Sequence, residues 1–364
     1  MDRSLTLEGF IRLKIAYGMN TARAFSVYTK LISGIEIDKK DKNKIDKVSK
    51  KEIKSIIEEC DKSDIRIIKF TDSDYPYPLR YINGPPLLLF CRGTLPDFFN
   101  YPTITIVGPR EVSDYGKKAA YSLGLKLGKA GFTIVNGAAK GADSYALKGA
   151  IESGGIPVGV LACGLNSDYL PCSKDFIEEI VKHGCILSEE FPSNGVIRAS
   201  FPHRNRIMAG LSRATVVVEG GVRSGALITA KHAANQGSDV LVIPGNPSLK
   251  EYKGSNQLIR DGAIPLLELD DIFDLYMHMY SDHIDKEKAY GDFVIKNDKI
   301  NENKSLEGLS KNAIILYNNI KTNKFTADDL LSDEYTNDDI MSSLTELELQ
   351  GFIKSLPGGL FEVC

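Results

Sequence analysis

An α/β fold on a doubly wound parallel sheet is what this sequence predicts, and three observations predict it. Short runs rich in β-branched residues recur from Pro102 onward: ITIVG (104–108), FTIVNG (132–137), IPVGVLACG (156–164), CILSEE (185–190), ATVVVEGG (214–221) and VLVIPG (240–245). Most are followed by a stretch of helical character, such as YGKKAAYSLGLKLGKAG or SGALITAKHAANQG. Strands of this kind, buried on both faces and joined by crossover helices, make parallel sheets. Ligands bind such sheets outside the carboxyl ends of the strands, which is where the glycines of this chain fall.

The remaining elements follow in chain order. Residues 1–62 read as a helical module, because LEGFIRLKIAYGM, TARAFSVYTKLISG and KVSKKEIKSIIEECDKSD carry apolar residues at helical spacing. They hold no evident chemistry. The sheet-bearing core is expected over 63–278. It opens with short strands in IRIIKF and PLLLFCRG, and the prolines of DSDYPYPLRYINGPP impose turns between them. Residues 279–305 are polar, charged and non-periodic, and read as a linker. The last segment, 306–364, reads helix (KNAIILYNNI), short helix (TADDLL), longer helix (TNDDIMSSLTELELQGFI) and hairpin (KSLPGGLFEV). That is a winged-helix-like order. Such modules commonly read duplex DNA through a basic third helix. Here the third helix is acidic, which points to protein contact instead.

Composition sets bounds on function. The chain has 364 residues, 43% hydrophobic and 26% charged, which is ordinary globular material for two or three domains. Its longest uncharged apolar stretch, Ile156 to Leu165, is about half what a membrane helix needs. The start MDRSLTLEGF lacks the pattern of a signal peptide, and six cysteines without a CxxC pair argue against zinc or a disulfide framework. A cytoplasmic, membrane-free protein is expected. The net charge of −3 hides an asymmetry: 18 Lys+Arg against 14 Asp+Glu over residues 100–265, or +4, and 4 against 10 over 305–364, or −6. A polyanion would be drawn to the middle and repelled by the tail.

Four groups of residues suit an anion. Gly108-Pro109-Arg110 ends one strand run ahead of a helix start, so the glycine admits a ligand to the backbone and Arg110 supplies charge; the plain alternative is a tight turn with a solvated arginine. In VNGAAKGAD the glycines shape a pocket while Asp143 favours its helix N-terminus. From Phe191 to Val218 there is no acid, yet Arg198, Arg204, Arg206 and Arg213 all fall inside. Phe201 would stack on a base, Arg204 and Arg206 would hold phosphates, and Asn205 would bond a base edge or brace the loop. Alternatively Phe201 packs in the core and an arginine pairs with Glu189, Glu190 or Glu219. Last, Ser224-Gly225 opens a helix after a buried strand, a phosphate-cradle arrangement. No nucleophile elbow, HExxH, P-loop or GxGxxG motif is present, which favours binding over catalysis.

The order of the motifs IVGPR, VNGAAKGADSYA, GGIPVGVLACGLNSDYLP, ILSEEFP, FPHRNRIMAGLS, VVVEGGVRSGALITA, VIPGNP and GSNQLIRDGA resembles the DNA-processing protein A (DprA/Smf) family over about residues 65–270. The resemblance implies an extended Rossmann-like core with a SAM-like helical module before it. It further implies a homodimer that binds single-stranded DNA, loads a RecA-type recombinase and acts in natural transformation, without enzymatic activity, cofactor or metal. By resemblance the DNA pocket would use Arg110, Phe201, Arg204, Asn205 and Arg206, with Lys174 and Arg198 where relatives place basic residues; Gly108, Ser224 and Gly225 join the candidate site from the residue reading above. The chain departs from the family at Pro109, Tyr145 and the split Tyr169-Leu170-Pro171. Two other readings stay open: a nucleotide-processing enzyme of the LOG/lysine-decarboxylase-like group, whose catalytic glutamate EGGVRSGALITA lacks, and a nucleotide-sensing regulator.

Overall fold

The computed structural model describes residues 5–169, 171–290, 309–320, 324–330, 337–350, 352–356 and 360–363. The chain divides into two compact units, Met1–Phe293 and Val294–Cys364.

The first unit opens with four helices: α1 (Leu7–Tyr17), α2 (Thr21–Ile32), α3 (Lys39–Asp46) and α4 (Lys50–Lys62). Each starts where a polar side chain, Thr6, Asn20, Asp38 or Ser49, accepts a hydrogen bond from a free backbone amide of the first turn. Nine strands follow, β1 (Arg66–Lys69), β2 (Leu88–Gly93), β3 (Thr103–Val107), β4 (Thr133–Asn136), β5 (Ile156–Leu161), β6 (Cys185–Ser188), β7 (Ala214–Val217), β8 (Asp239–Val242) and β9 (Ile264–Pro265). The helices among and after them are α5 (Asp114–Lys129), α6 (Ala142–Glu152), α7 (Lys174–His183), α8 (Ser200–Leu211), α9 (Gly225–Asn235), α10 (Lys253–Arg260), α11 (Asp270–Tyr280) and α12 (Lys286–Tyr290).

All nine strands form one sheet in the order β1-β2-β6-β5-β4-β3-β7-β8-β9. β3 to β9 run parallel, with Thr105 opposite Val135 and Val107 opposite Val217. β2 and β1 extend the β6 edge antiparallel. The chain winds outward from β3 through β4 and β5 to β6. It then crosses back through α8 and winds the other way through β7, so the direction reverses between β3 and β7. Such a reversal opens a crevice at the carboxyl ends of the strands.

Alternation along the strands supplies two cores, one per face. Ile104, Ile106, Ile134, Ile186, Val216 and Leu241 lie in one cluster, and Val107, Val135, Val158, Leu187, Val217 and Val242 in the other. A third cluster joins Phe10, Leu13, Val27 and Ile53 of the helical segment to Leu87 and Leu88. The helices expected as a module over 1–62 therefore share a core with β2, inside the same compact unit.

Two local expectations are corrected. The middle of the arginine-rich stretch, from Ser200 to Leu211, treated as a loop, is the helix α8; Pro202 falls in its first turn, where proline is tolerated. Burial of nearly the whole helix erases the polar face by which a helix is usually read. The expected linker also starts later: α11 runs to Tyr280 and α12 covers Lys286–Tyr290, with Ala289 buried and Lys286 paired to Asp270 at 2.8 Å. Its part from 291 to 305 lies outside the described residues.

The second unit contains α13 (Lys311–Asn319), β10 (Lys324–Thr326), a 3-10 turn (Ala327–Leu330), α14 (Asn337–Leu349), β11 (Ile353–Leu356) and β12 (Leu360–Val363). Its strands form an antiparallel sheet in the order β10-β12-β11. Leu316, Phe325, Ile340, Leu344 and Phe352 fill its core. Among the described residues, no helix is long and apolar enough to cross a membrane.

Candidate nucleic-acid interface

The turn after β3 presents the best-placed cation. Gly108 abuts the start of α6, where an added Cβ would lie 2.5 Å from the Ala142 side chain. Gly141, at φ +97°, lies against the same turn: a Cβ there would come within 2.4 Å of the carbonyl oxygens of both Pro109 and Arg110. Arg110 is exposed, and its guanidinium lies 5.1 Å from the centroid of the half-buried Phe201 ring. Phe201 in turn meets Tyr169 edge-on at 6.3 Å. A flat cation and an aromatic ring thus stand together at the mouth of the crevice, the pair that grips a base and its phosphate. Gly141, at φ +97° and ψ −138°, holds a backbone conformation open to little but glycine, so Gly141→Ala is expected to cost roughly 1–3 kcal/mol from backbone strain alone. It should also displace Arg110, so a lower melting temperature should accompany weaker ligand binding.

The other residues of the acid-free stretch part company because α8 is a helix. Side chains two positions apart on a helix do not face the same way, so Arg204 and Arg206 cannot grip one phosphate. Both are buried. Arg204 extends beneath the crevice, where Nη1 donates to the Val160 carbonyl and fills the space that a side chain at Gly137 would need. Arg206 donates through Nη2 to the buried carboxylate of Glu189, which His203 also meets at 2.9 Å. This is the pairing alternative raised for one arginine. Asn205 is buried too, its Nδ2 3.4 Å from the Gly225 carbonyl, so it braces structure instead of reaching outward.

The acids near the crevice are engaged as well. Asp143 Oδ2 accepts from the backbone amides of Gly137 at 3.0 Å and Ala139 at 3.4 Å. Glu219 accepts from the Ser113 amide at 2.7 Å and from its hydroxyl, tying the end of β7 to the start of α5. Burial pushes the Asp143 carboxyl up to about 6, against the pull of Arg204 and the two amides. Below about pH 4 both folded and unfolded states hold this proton; between about 4 and 6 only the unfolded state has lost it. Stability therefore falls across that window as pH rises and is level above it. Asp143→Asn should remove this component, as read by chemical denaturation at several pH values.

What faces solvent is a set of cations in the segments after five successive strands, four of them on connecting loops and Lys174 at the first residue of α7. Arg110 follows β3, Lys140 follows β4, Lys174 follows β5, Arg198 follows β6 and Arg223 follows β7, and all are exposed. Among the described residues, none has a carboxylate within 4.0 Å. Ser224 caps α9, its hydroxyl accepting from the Ala226 amide at 3.3 Å, and Gly225 next to it faces open space. Lys140 and Arg223 escaped the sequence-level site, although their places just after strand ends were the available signal. Arg213 sits at the other end of β7 and donates to the Leu275 carbonyl at 3.2 Å.

A doubly wound sheet whose carboxyl edge carries exposed cations without carboxylate partners among the described residues, one of them stacked on an aromatic ring, defines the class: an α/β protein with a cationic strand-end edge. The family model for DNA recombination-mediator protein A matches residues 66–277, more than half of the chain, and the chain belongs to that family. It is 38% identical over 214 residues to Protein Smf of Synechocystis sp., covering 58% of this chain and 54% of that protein. It is 34% identical over 210 residues to DNA processing protein DprA of Bacillus subtilis, covering 58% and 71%. The matched part is thus about half the length of the Synechocystis relative. The X-ray structure of DprA from Streptococcus pneumoniae matches with a TM-score of 0.64 at 27% identity, over 74% of this chain and 98% of that one. A DprA structure from Helicobacter pylori, described for its single-stranded DNA binding mode, matches with a TM-score of 0.52 at 26% identity, over 59% and 97%.

Proposed function

We propose that this protein binds single-stranded DNA along the carboxyl edge of its sheet and passes it, chemically unchanged, to a RecA-type recombinase. One observation carries the binding: five exposed cations without carboxylate partners among the described residues, in the segments that follow five successive strands, with Arg110 among them stacked on Phe201. Phosphates set affinity and an accessible ring takes an unstacked base, which only a single strand offers freely. The Helicobacter pylori relative, described as a single-stranded DNA binder, supports the same ligand. A non-enzymatic role accords with Asp143 and Glu219 being engaged by backbone and cap groups. The hand-off is supported by the family's description as recombination mediators. A homodimeric state, a role in natural transformation and a winged-helix-like, protein-contacting second unit belong to the same reading.

Anisotropy of a labelled oligo-dT across a salt series tests the binding. Log affinity should fall linearly with log salt, by about 0.7 per phosphate contacted, hence with a slope near −3 if most of these cations engage. A flat response, or equal affinity for a blunt duplex, would overturn the reading.

A further inference from the structure

Between α6 and the first turn of α7 lies a groove of about 500 Å³, lined mainly by carbon from Tyr145, Pro171, Cys172 and Phe176, with Lys140 at its wall. We propose that it is a second base subsite, taking one unpaired nucleobase of the same strand that Arg110 and Phe201 hold; the proposal rests on the function given above. Three features of the groove argue for that occupant.

The groove is continuous with the Arg110 turn. The Lys140 amide donates to the Pro171 carbonyl at 3.2 Å, joining the loop after β4 to the loop after β5 as one wall. The next residue, Gly141, is the one pressed against the Arg110 carbonyl. The Arg110 turn and the groove wall are thus joined through the adjacent residues Lys140 and Gly141. The lining also has the right chemistry. Tyr145 and Phe176 are half-buried against the core, each leaving part of its ring exposed, and every base offers a π-face to such a surface. The charge fits as well. Lys140 and Lys174, which follows the lining residue Ser173, are exposed and lack carboxylate partners among the described residues. Lys148 on the rim pairs with Glu152, at 3.7 Å on the surface. Apolar walls for a flat uncharged ring, flanked by free ammonium groups, complement a base and its neighbouring phosphates. A free apolar metabolite would leave the lysines idle.

The chain contains no tryptophan, so Phe176→Trp creates a lone emission reporter in the groove. Titrated with oligo-dT, its emission should quench in step with the anisotropy of a labelled strand. Tyr145→Leu, which keeps apolar bulk and loses the ring, should weaken binding by about fivefold or more. If Phe176→Trp fails to fold, Tyr145→Trp places the reporter on α6 instead. The inference is overturned if the strand binds and Arg110→Ala weakens it, while emission stays constant and Tyr145→Leu binds like the parent. It is equally overturned if thymidine monophosphate quenches as strongly as the oligonucleotide, which would make the groove a mononucleotide site. Failure of the parent protein to bind oligo-dT at all would instead sink the proposed function itself.

Discussion

Arg110→Ala is expected to weaken oligo-dT binding by about tenfold or more and to flatten the salt slope by about 0.7, the share of one phosphate contact. The size of the effect follows from its double role. Of the exposed cations at the carboxyl edge, Arg110 is the one whose guanidinium lies over an aromatic ring, so its loss removes a charge and half of a stacking pair together. Arg110→Lys should restore the slope but only part of the affinity, because an ammonium keeps the charge and cannot stack as a plane. The side chain is exposed and makes no ion pair among the described residues, so the unfolding free energy should move by no more than about 1 kcal/mol, the worth of an exposed cation–aromatic contact. Arg198→Ala and Lys174→Ala should each lower the slope by a similar step with a smaller loss of affinity. An unchanged affinity in Arg110→Ala would remove the turn after β3 from the site.

Glu189→Gln carries the largest expected effect on stability, a loss of about 3–5 kcal/mol, the usual result of breaking a buried ion pair. Glu189 is buried at the end of β6, where Arg206 and His203 bond one oxygen and the Lys14 ammonium lies 4.0 Å from the other. Arg206 Nε and Nη1 and the Lys14 ammonium already lack hydrogen-bond partners among the described residues. Without the carboxylate, two cations would stand buried and uncompensated. Burial by itself would raise the Glu189 carboxyl; the charges of Lys14 and Arg206, with the His203 bond, override it and hold the group well below the ordinary carboxylate range. A depressed carboxyl stabilises the fold above its unfolded value, near 4.3, and that contribution is lost as pH falls below it. The parent protein should therefore lose stability steeply below about pH 4, and Glu189→Gln should lack that limb. Denaturant midpoints at neutral and acid pH measure both, and a neutral-pH loss under about 1 kcal/mol would refute the ion-pair account. Because Lys14 belongs to α1 and Arg206 to α8, the same cluster fastens the N-terminal helices to the helix that carries Phe201.

Much of this was legible in the sequence for a simple reason. The core strands are apolar, β-branched and closed by glycine turns, so local composition alone fixes their nature, and their alternation with helices fixes a parallel sheet. The order of the short motifs carried the family, and Arg110 stood out because it follows directly on a strand end. The arginines of α8 did not sort themselves so easily. Phe201, Arg204 and Arg206 read alike as members of one acid-free run, yet one ring is half-exposed and both arginines are buried. The partners that draw them inward are the Val160 carbonyl and the Glu189 carboxylate, on β5 and at the end of β6, remote in the chain and brought near only by the sheet order. The same holds for the free cations. Lys140 and Arg223 gain meaning only when five strand-end segments share one edge, and Lys14 only when α1 packs against β2, the neighbour of β6 in the sheet. Sequence by itself determined the strands, their parallel arrangement, the family and the Arg110 turn, because each depends on neighbours along the chain. Tertiary structure alone decided which charges are spent inside and which remain for a ligand, because a charge is cancelled by whatever lies near it in space.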